Sequence, residues 1–251
     1  MIVIISPAKT LEFERTQPYQ KNTIPQFIKE TEVLVQSLKK KSAQELAQLM
    51  EISDDLANLN YERFQKWQIP FTSQNARQCI FTFNGPVYQG FDFFAYKKEE
   101  FERLQNTVRI ISGLHGLLKP FDLIQAYRLD MHISLKNPNG NDLYSYWKQR
   151  ITDSINKECK DVLVNCCSEE YSAAVDFQQL KCKVINIVFK NLKNGKYTVI
   201  GILAKKARGM FADFVVRNNV SGVEDLKKFN RDGYKFDEKS SKENNLVFLK
   251  G

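Results

Sequence analysis

The pattern of apolar and polar positions changes character several times along the chain, and each change marks an element. Ile2-Val-Ile-Ile5 is a continuous apolar run closed by Ser6-Pro7, which reads as a buried first strand. Between residues 24 and 67, Ile28, Val33, Leu34, Leu38, Leu46, Leu49, Leu56, Leu59 and Phe64 recur at mostly helical spacings, so two or three helices are expected there. Ser42 precedes Glu45 by three positions, a capping-box spacing, and Ser53-Asp54-Asp55 supplies a second helix start. Asn75–Phe83 is ambiguous between helix and strand, and Gly85-Pro86 is a turn.

Further along, Glu99–Leu104 reads as helix and Val108–Ser112 as strand. A loop follows through Tyr127-Arg-Leu129, and Tyr144–Cys159 is helical by its spacing. Val162–Val164, Val184–Val188 and Tyr197–Leu203 read as strands, with Asn194-Gly195 as the hairpin turn between the last two. Ala207–Asn218 and Val223–Phe229 are predicted helices, and Leu246–Leu249 is a last strand. Strands at both ends with helices between them require a sheet assembled from distant segments. The expectation is one mixed α/β domain over residues 1–251, a mixed sheet with a helical layer. The break in βα alternation from residue 24 to 107 argues against a clean doubly wound sheet.

Charge adds the next constraint. The chain carries a formal +8 with an isoelectric point near 9.1, which favours nucleic acid, nucleotide phosphate or an anionic surface as partner. The cations are concentrated. Lys190, Lys193, Lys196, Lys205, Lys206, Arg208 and Arg217 face a single acid, Asp213, in that stretch. Lys205, Lys206 and Arg208 follow the expected strand Tyr197–Leu203, which would hold them toward an anion; a solvated basic face is the plainer reading. No apolar run approaches the length of a membrane span, and the N-terminus lacks the basic flank of a secretory signal, so a cytoplasmic protein without a membrane partner is expected.

Five cysteines without a CxxC pair read as reduced, small apolar residues, and two isolated histidines make no metal site, so neither a cofactor nor a metal is expected. Four segments offer chemistry. Ser6, Lys9 and Thr10 follow the first strand and can bind a phosphate, although the loop has no glycine-rich cradle. Gly113 and Gly116 suit a tight turn of the kind that a helix-hairpin-helix element sets against DNA phosphates; the usual glycine spacing there is two rather than three. Arg128 can fork onto a phosphate or pair with Asp130 or Asp122. Ser168 and Tyr171 lie just past the Val162–Cys167 run, where Ser168 also reads as a helix N-cap.

These segments together resemble one family. Ile5-Ser-Pro-Ala-Lys-Thr-Leu11, Leu49-Met-Glu-Ile-Ser-Asp54, Asn75-Ala-Arg-Gln78, Ser112-Gly-Leu114 with Gly116, Tyr127-Arg-Leu129, Ala204-Lys-Lys-Ala-Arg-Gly209 and Phe236-Asp-Glu238 with Ser240-Ser241 match the YaaA peroxide-stress family in order and along the whole chain. The resemblance implies a cytosolic bacterial protein that limits oxidative, iron-dependent DNA damage. It also implies a family-specific α/β fold with a basic cleft, a helix-hairpin-helix-like element and duplex DNA as partner. On that likeness Ser6, Lys9, Thr10, Arg128, Lys205, Lys206 and Arg208 line the cleft, and Gly113 and Gly116 shape the hairpin. The family usually has Tyr at His115 and Leu-Ala at Cys166-Cys167, so chemistry common to the family does not depend on those side chains here. The leading expectation is a protein that grips duplex DNA through phosphates. The alternative is an enzyme acting on a nucleotide or other phosphorylated small molecule, because the candidate polar set is more varied than phosphate gripping needs.

Overall fold

Four consecutive β-branched residues form strand β1 (Ile2–Ile5) of the computed structural model, which describes residues 1–251. All four are buried. Alternate side chains of a strand point to opposite faces, so both faces of the sheet are covered here. Strand β2 (Val108–Ser112) runs parallel to β1 and folds back into the antiparallel β3 (Gly116–Leu118). On the other side of β1 lie β4 (Val162–Cys166) and β5 (Lys183–Lys193), both parallel to it. Strand β6 (Lys196–Thr198) is the return arm of a hairpin on β5. The short β7 (Lys235–Phe236) flanks β8 (Asn245–Lys250), which pairs in parallel with β5. The result is a mixed eight-stranded sheet within one α/β domain.

Its five central strands are all parallel, in the spatial order β2-β1-β4-β5-β8. Counted along the chain that is 2-1-3-4-5, a doubly wound order. The sheet is mixed rather than cleanly doubly wound, as the broken βα alternation predicts, while its parallel core keeps a doubly wound order. Residues 24 to 107 are one long excursion between the first two strands, and it returns through the helix Lys98–Thr107, which packs on β1.

The helices are α1 (Ile28–Lys39), α2 (Ala43–Met50), α3 (Asp54–Lys66), α4 (Lys98–Thr107), α5 (Leu143–Glu158) and α6 (Gly201–Arg217). The capping box at α2 forms as its spacing predicts: Ser42 Oγ accepts from Glu45 N at 3.2 Å, and Ser42 N donates to Glu45 Oε2 at 2.7 Å. Helix α6 packs on β1, β4 and β5, where Phe211 joins Phe189, Phe229 and Phe248 in an edge-to-face cluster. No helix is long and apolar enough to cross a membrane.

Two readings of the sequence need correction. Tyr197–Leu203 is not a strand: extended pairing ends at Thr198 and α6 begins at Gly201. Its β-branched residues argued for a strand, but from Ala204 onward buried positions recur as Ala204, Ala207, Phe211, Ala212 and Val215, a helical period that extends the helix back past Lys205. Gly113 and Gly116 do not shape a helix-hairpin-helix. They flank the turn between β2 and β3, and every residue of that turn is buried. Gly116 has φ +68, and a Cβ there would lie 2.6 Å from the Trp147 ring; one on Gly113 would lie 2.2 Å from the Leu129 carbonyl oxygen. Both glycines serve packing, and neither reaches solvent. A helix pair with a tight connection does occur at α2–α3, where Glu51 adopts the left-handed conformation.

Candidate functional site

In a doubly wound sheet the loops leaving two neighbouring strands diverge where the chain reverses its direction of winding, and a crevice opens at their carboxyl ends. Here those strands are β1 and β4. The segments that leave them, Ser6–Thr10 and Ser168–Tyr171, form two walls of a cleft of about 600 Å³. Asn84–Tyr88 forms a third wall, and Val199, Lys205 and Arg208 form the fourth.

The floor is stitched across the switch point. Ser168 N donates to Ser6 Oγ at 2.9 Å, the two hydroxyl oxygens lie 3.4 Å apart, and Tyr88 OH donates to the Ser6 carbonyl at 3.1 Å. Ser168 does sit at the N-cap of the single turn Glu169–Ser172, yet its hydroxyl makes no capping bond. It is turned toward Ser6 instead.

Close packing brings the cationic helix to this floor. A Cβ on Gly209 would lie 1.7 Å from the Val87 carbonyl oxygen, and one on Gly90 2.3 Å from Met210 N, so the backbones of α6 and the Val87–Gly90 turn touch directly. Lys205 and Arg208 are three residues apart and share one helix face, which is the face turned to the cleft. Lys206, one position on, is exposed and points away from the cleft lining. None of the three makes an ion pair with a carboxylate, and Arg208 Nε is buried without a hydrogen-bond partner in the protein.

The other two cations are engaged. Lys9 Nζ lies 3.1 Å from Asp130 Oδ2, and Arg128 Nη2 lies 3.7 Å from the same oxygen. The Tyr171 hydroxyl donates to Asp130 Oδ1 at 3.3 Å. Burial, reinforced by Asp130, pushes the Tyr171 phenol well above its ordinary range, so it remains a proton donor. Arg128 thus takes the structural pairing with Asp130 rather than Asp122, which binds Thr23 Oγ1 and Lys119 N. Arg128 Nε is also buried without a partner.

The cleft is not uniformly basic, because Glu169 and Glu170 also line it, the latter bound to His132 Nδ1 at 2.9 Å. Below the floor, burial pushes the Cys166 thiol up to about 12 against the opposing pull of Arg208, and Cys167 moves the same way. Both are therefore thiols at neutral pH rather than nucleophilic thiolates. His115 is packed between Phe71 and Tyr127, and burial lowers it to about 3, so it is neutral.

Of the candidates read from the sequence, Ser6, Lys9, Thr10, Ser168, Tyr171, Lys205 and Arg208 converge on one cleft although they come from three distant segments. Arg128 stands behind it through Asp130, Lys206 flanks it, and Gly113 and Gly116 lie in the core.

A model of the family described as peroxide stress protein YaaA matches residues 1–240. The chain belongs to the YaaA family. Among its relatives, a UPF0246 protein of Flavobacterium johnsoniae is 46% identical over 252 residues, covering all of both chains. A UPF0246 protein of Flavobacterium psychrophilum is 44% identical with the same full coverage, and one of Colwellia psychrerythraea is 44% identical over all of this chain and 99% of its own. Membership of the YaaA family supports a peroxide-stress role.

Reading the sequence weighed Asp130 only as a partner for Arg128. Its place in Tyr127-Arg-Leu-Asp130 put it beside a candidate cation, but nothing local shows that Lys9 and Tyr171 arrive at the same carboxylate. Asn84 and Tyr88 also line the cleft, although the sequence marks only the Gly85-Pro86 turn between them. The signal there was Gly85: a Cβ at that position would sit 3.0 Å from Ala8 Cβ, which marks the close approach of the two walls.

Proposed function

We propose that this YaaA-family protein acts in peroxide stress by holding duplex DNA across the mouth of the cleft, through phosphates and with little reading of bases. One observation carries the reading: Lys205, Lys206 and Arg208 stand together on the first turns of α6 without a carboxylate partner. Lys9, Arg128 and Arg109 are held by carboxylates, whereas these three stand unpaired and clustered beside one cleft, an arrangement that favours a polyanion. Bound DNA would be shielded from iron-dependent oxidation, which is how this grip would serve the stress role. The test is a binding titration with a random-sequence duplex beside the Lys205→Ala/Lys206→Ala/Arg208→Ala variant, whose substitutions are all on solvent-facing or cleft-facing positions. The triple variant is expected to lose binding while keeping its fold. Equal binding by both proteins would refute the assignment.

A second reading has its own support. The buried Asp130, its Tyr171 donor and the Ser6–Ser168 hydroxyl pair form a varied polar set in a volume suited to one small molecule, as in an enzyme acting on a nucleotide or other phosphorylated compound. Lys9→Arg separates the two. A phosphate grip tolerates the exchange of one cation for another, whereas a positioned ammonium is not replaced by a guanidinium. Duplex affinity within about twofold of wild type supports the grip.

A further inference from the structure

A cleft of about 600 Å³ is far too small for a duplex and lies in the range, roughly 300–1,000 Å³, that a single small ligand occupies. A protein that only rests DNA on its surface has no use for such a depth beneath its cations. The lining divides in two. Ser6, Ser168, Lys205 and Arg208 supply hydroxyls and positive charge suited to a phosphodiester, while Pro86, Val87 and Tyr88 form an apolar wall suited to a base or sugar.

The rim carries a second, independent feature. Val199, which lines the cleft, and Ile202 are exposed at 54% and 66%, an unusual display of large aliphatic side chains at its mouth. Ile202 is one helical turn before Lys205 and on the same face of α6, so an apolar prow stands directly beside the cleft cations. Proteins that draw a nucleotide out of a duplex face two costs, unstacking the base and leaving a gap. An inserted aliphatic side chain fills the gap, and a fitted pocket receives the base.

We infer that the cleft receives one nucleotide extruded from bound duplex DNA, with Ile202 occupying the space that the base vacates. The inference rests on the duplex-binding reading above. It adds that the bound DNA is locally opened, and that the cleft, with Asp130 and Tyr171 at its back, is a site for a single nucleotide unit.

The test uses the full-length protein and short duplexes carrying 2-aminopurine, either paired or opposite a mismatched base, whose fluorescence rises when the base leaves the stack. Binding is followed in parallel by anisotropy. Saturating wild-type protein is expected to raise the fluorescence several-fold, more at the mismatch, where unstacking costs least. The exposed-site variant Ile202→Ser is expected to still bind the duplex, because the phosphate contacts stay, and to lose most of that rise, because the prow is gone. Excess deoxyadenosine monophosphate is expected to suppress the signal without releasing the duplex. Full binding with no fluorescence change at either site overturns this inference and leaves the duplex grip standing. A rise unaffected by both the variant and the mononucleotide overturns the pocket and prow assignment as well. Absence of duplex binding sinks both readings together, a result that anisotropy alone reveals.

Discussion

Asp130 is the group whose removal separates stability from affinity most sharply. Its carboxylate is nearly buried and receives Lys9 at 3.1 Å, Arg128 at 3.7 Å and the Tyr171 hydroxyl. In Asp130→Asn the shape survives and the charge is lost. Breaking a fully buried ion pair costs about 3–5 kcal/mol. Here Lys9 is 55% exposed and regains water, and Arg128 is only 20% exposed but sits at the longer distance, so the loss is set at about 2 kcal/mol. For a chain of this size that lowers Tm by about 4–8 °C. Affinity moves the opposite way. The substitution frees two cations beside the cleft, and each new phosphate contact steepens the logarithmic salt dependence by about 0.9. Two such contacts raise duplex affinity by up to about 30-fold near 0.15 M salt. Thermal unfolding and anisotropy titrations on the same preparation read both effects. A variant that is destabilised and also binds more weakly, with an unchanged salt slope, refutes the idea that Asp130 restrains Lys9 and Arg128.

Other parts of the structure are equally exposed to test. Gly209→Ala places a Cβ against the Val87 backbone, so α6 must shift; a loss of about 3 kcal/mol is expected in denaturant unfolding, and the control Gly201→Ala, which meets nothing within 4 Å, should be neutral or slightly stabilising. His115 titrates near 6.5 when unfolded and at about 3 when folded, so its contribution is intact above that unfolded value and is lost as pH falls toward 3. Between about pH 7 and pH 5 that amounts to about 2 kcal/mol, and His115→Gln should unfold with a correspondingly shallower dependence on pH; an identical dependence would contradict the buried neutral ring.

The parts of this molecule legible in its sequence are those decided locally. The β-branched run Ile2–Ile5, the Ser42–Glu45 capping box and the Asn194-Gly195 turn each follow from a few neighbouring residues, and each is present. Misreadings arose where tertiary context overrode local preference. Tyr197–Leu203 has the composition of a buried strand, yet pairing ends at Thr198 and Ile202 and Leu203 are exposed on the first turn of a helix. Gly113 and Gly116 signalled a tight turn correctly, but only the packing of Trp147 and Leu129 shows that the turn is internal. The strand order 2-1-3-4-5 was hidden by the hundred-odd residues between β1 and β2, because pairing across such a distance leaves no local periodicity. The cleft residues were legible as types, while their convergence depends on that order. Asp130 was the hardest to see, since its role lies in gathering partners from residues 9, 128 and 171.

The central claim is that unpaired cations on α6 hold DNA by its phosphates, and the salt dependence of duplex binding tests it most directly. Three contacts from Lys205, Lys206 and Arg208 predict a slope of about −2.7 in log affinity against log salt, which is a loss of about 40-fold between about 50 and 200 mM. The Lys205→Ala/Lys206→Ala/Arg208→Ala protein should show little binding at any salt in that range. A folded wild type that fails to bind at the lowest salt, or a triple variant that keeps the full slope, would contradict the account.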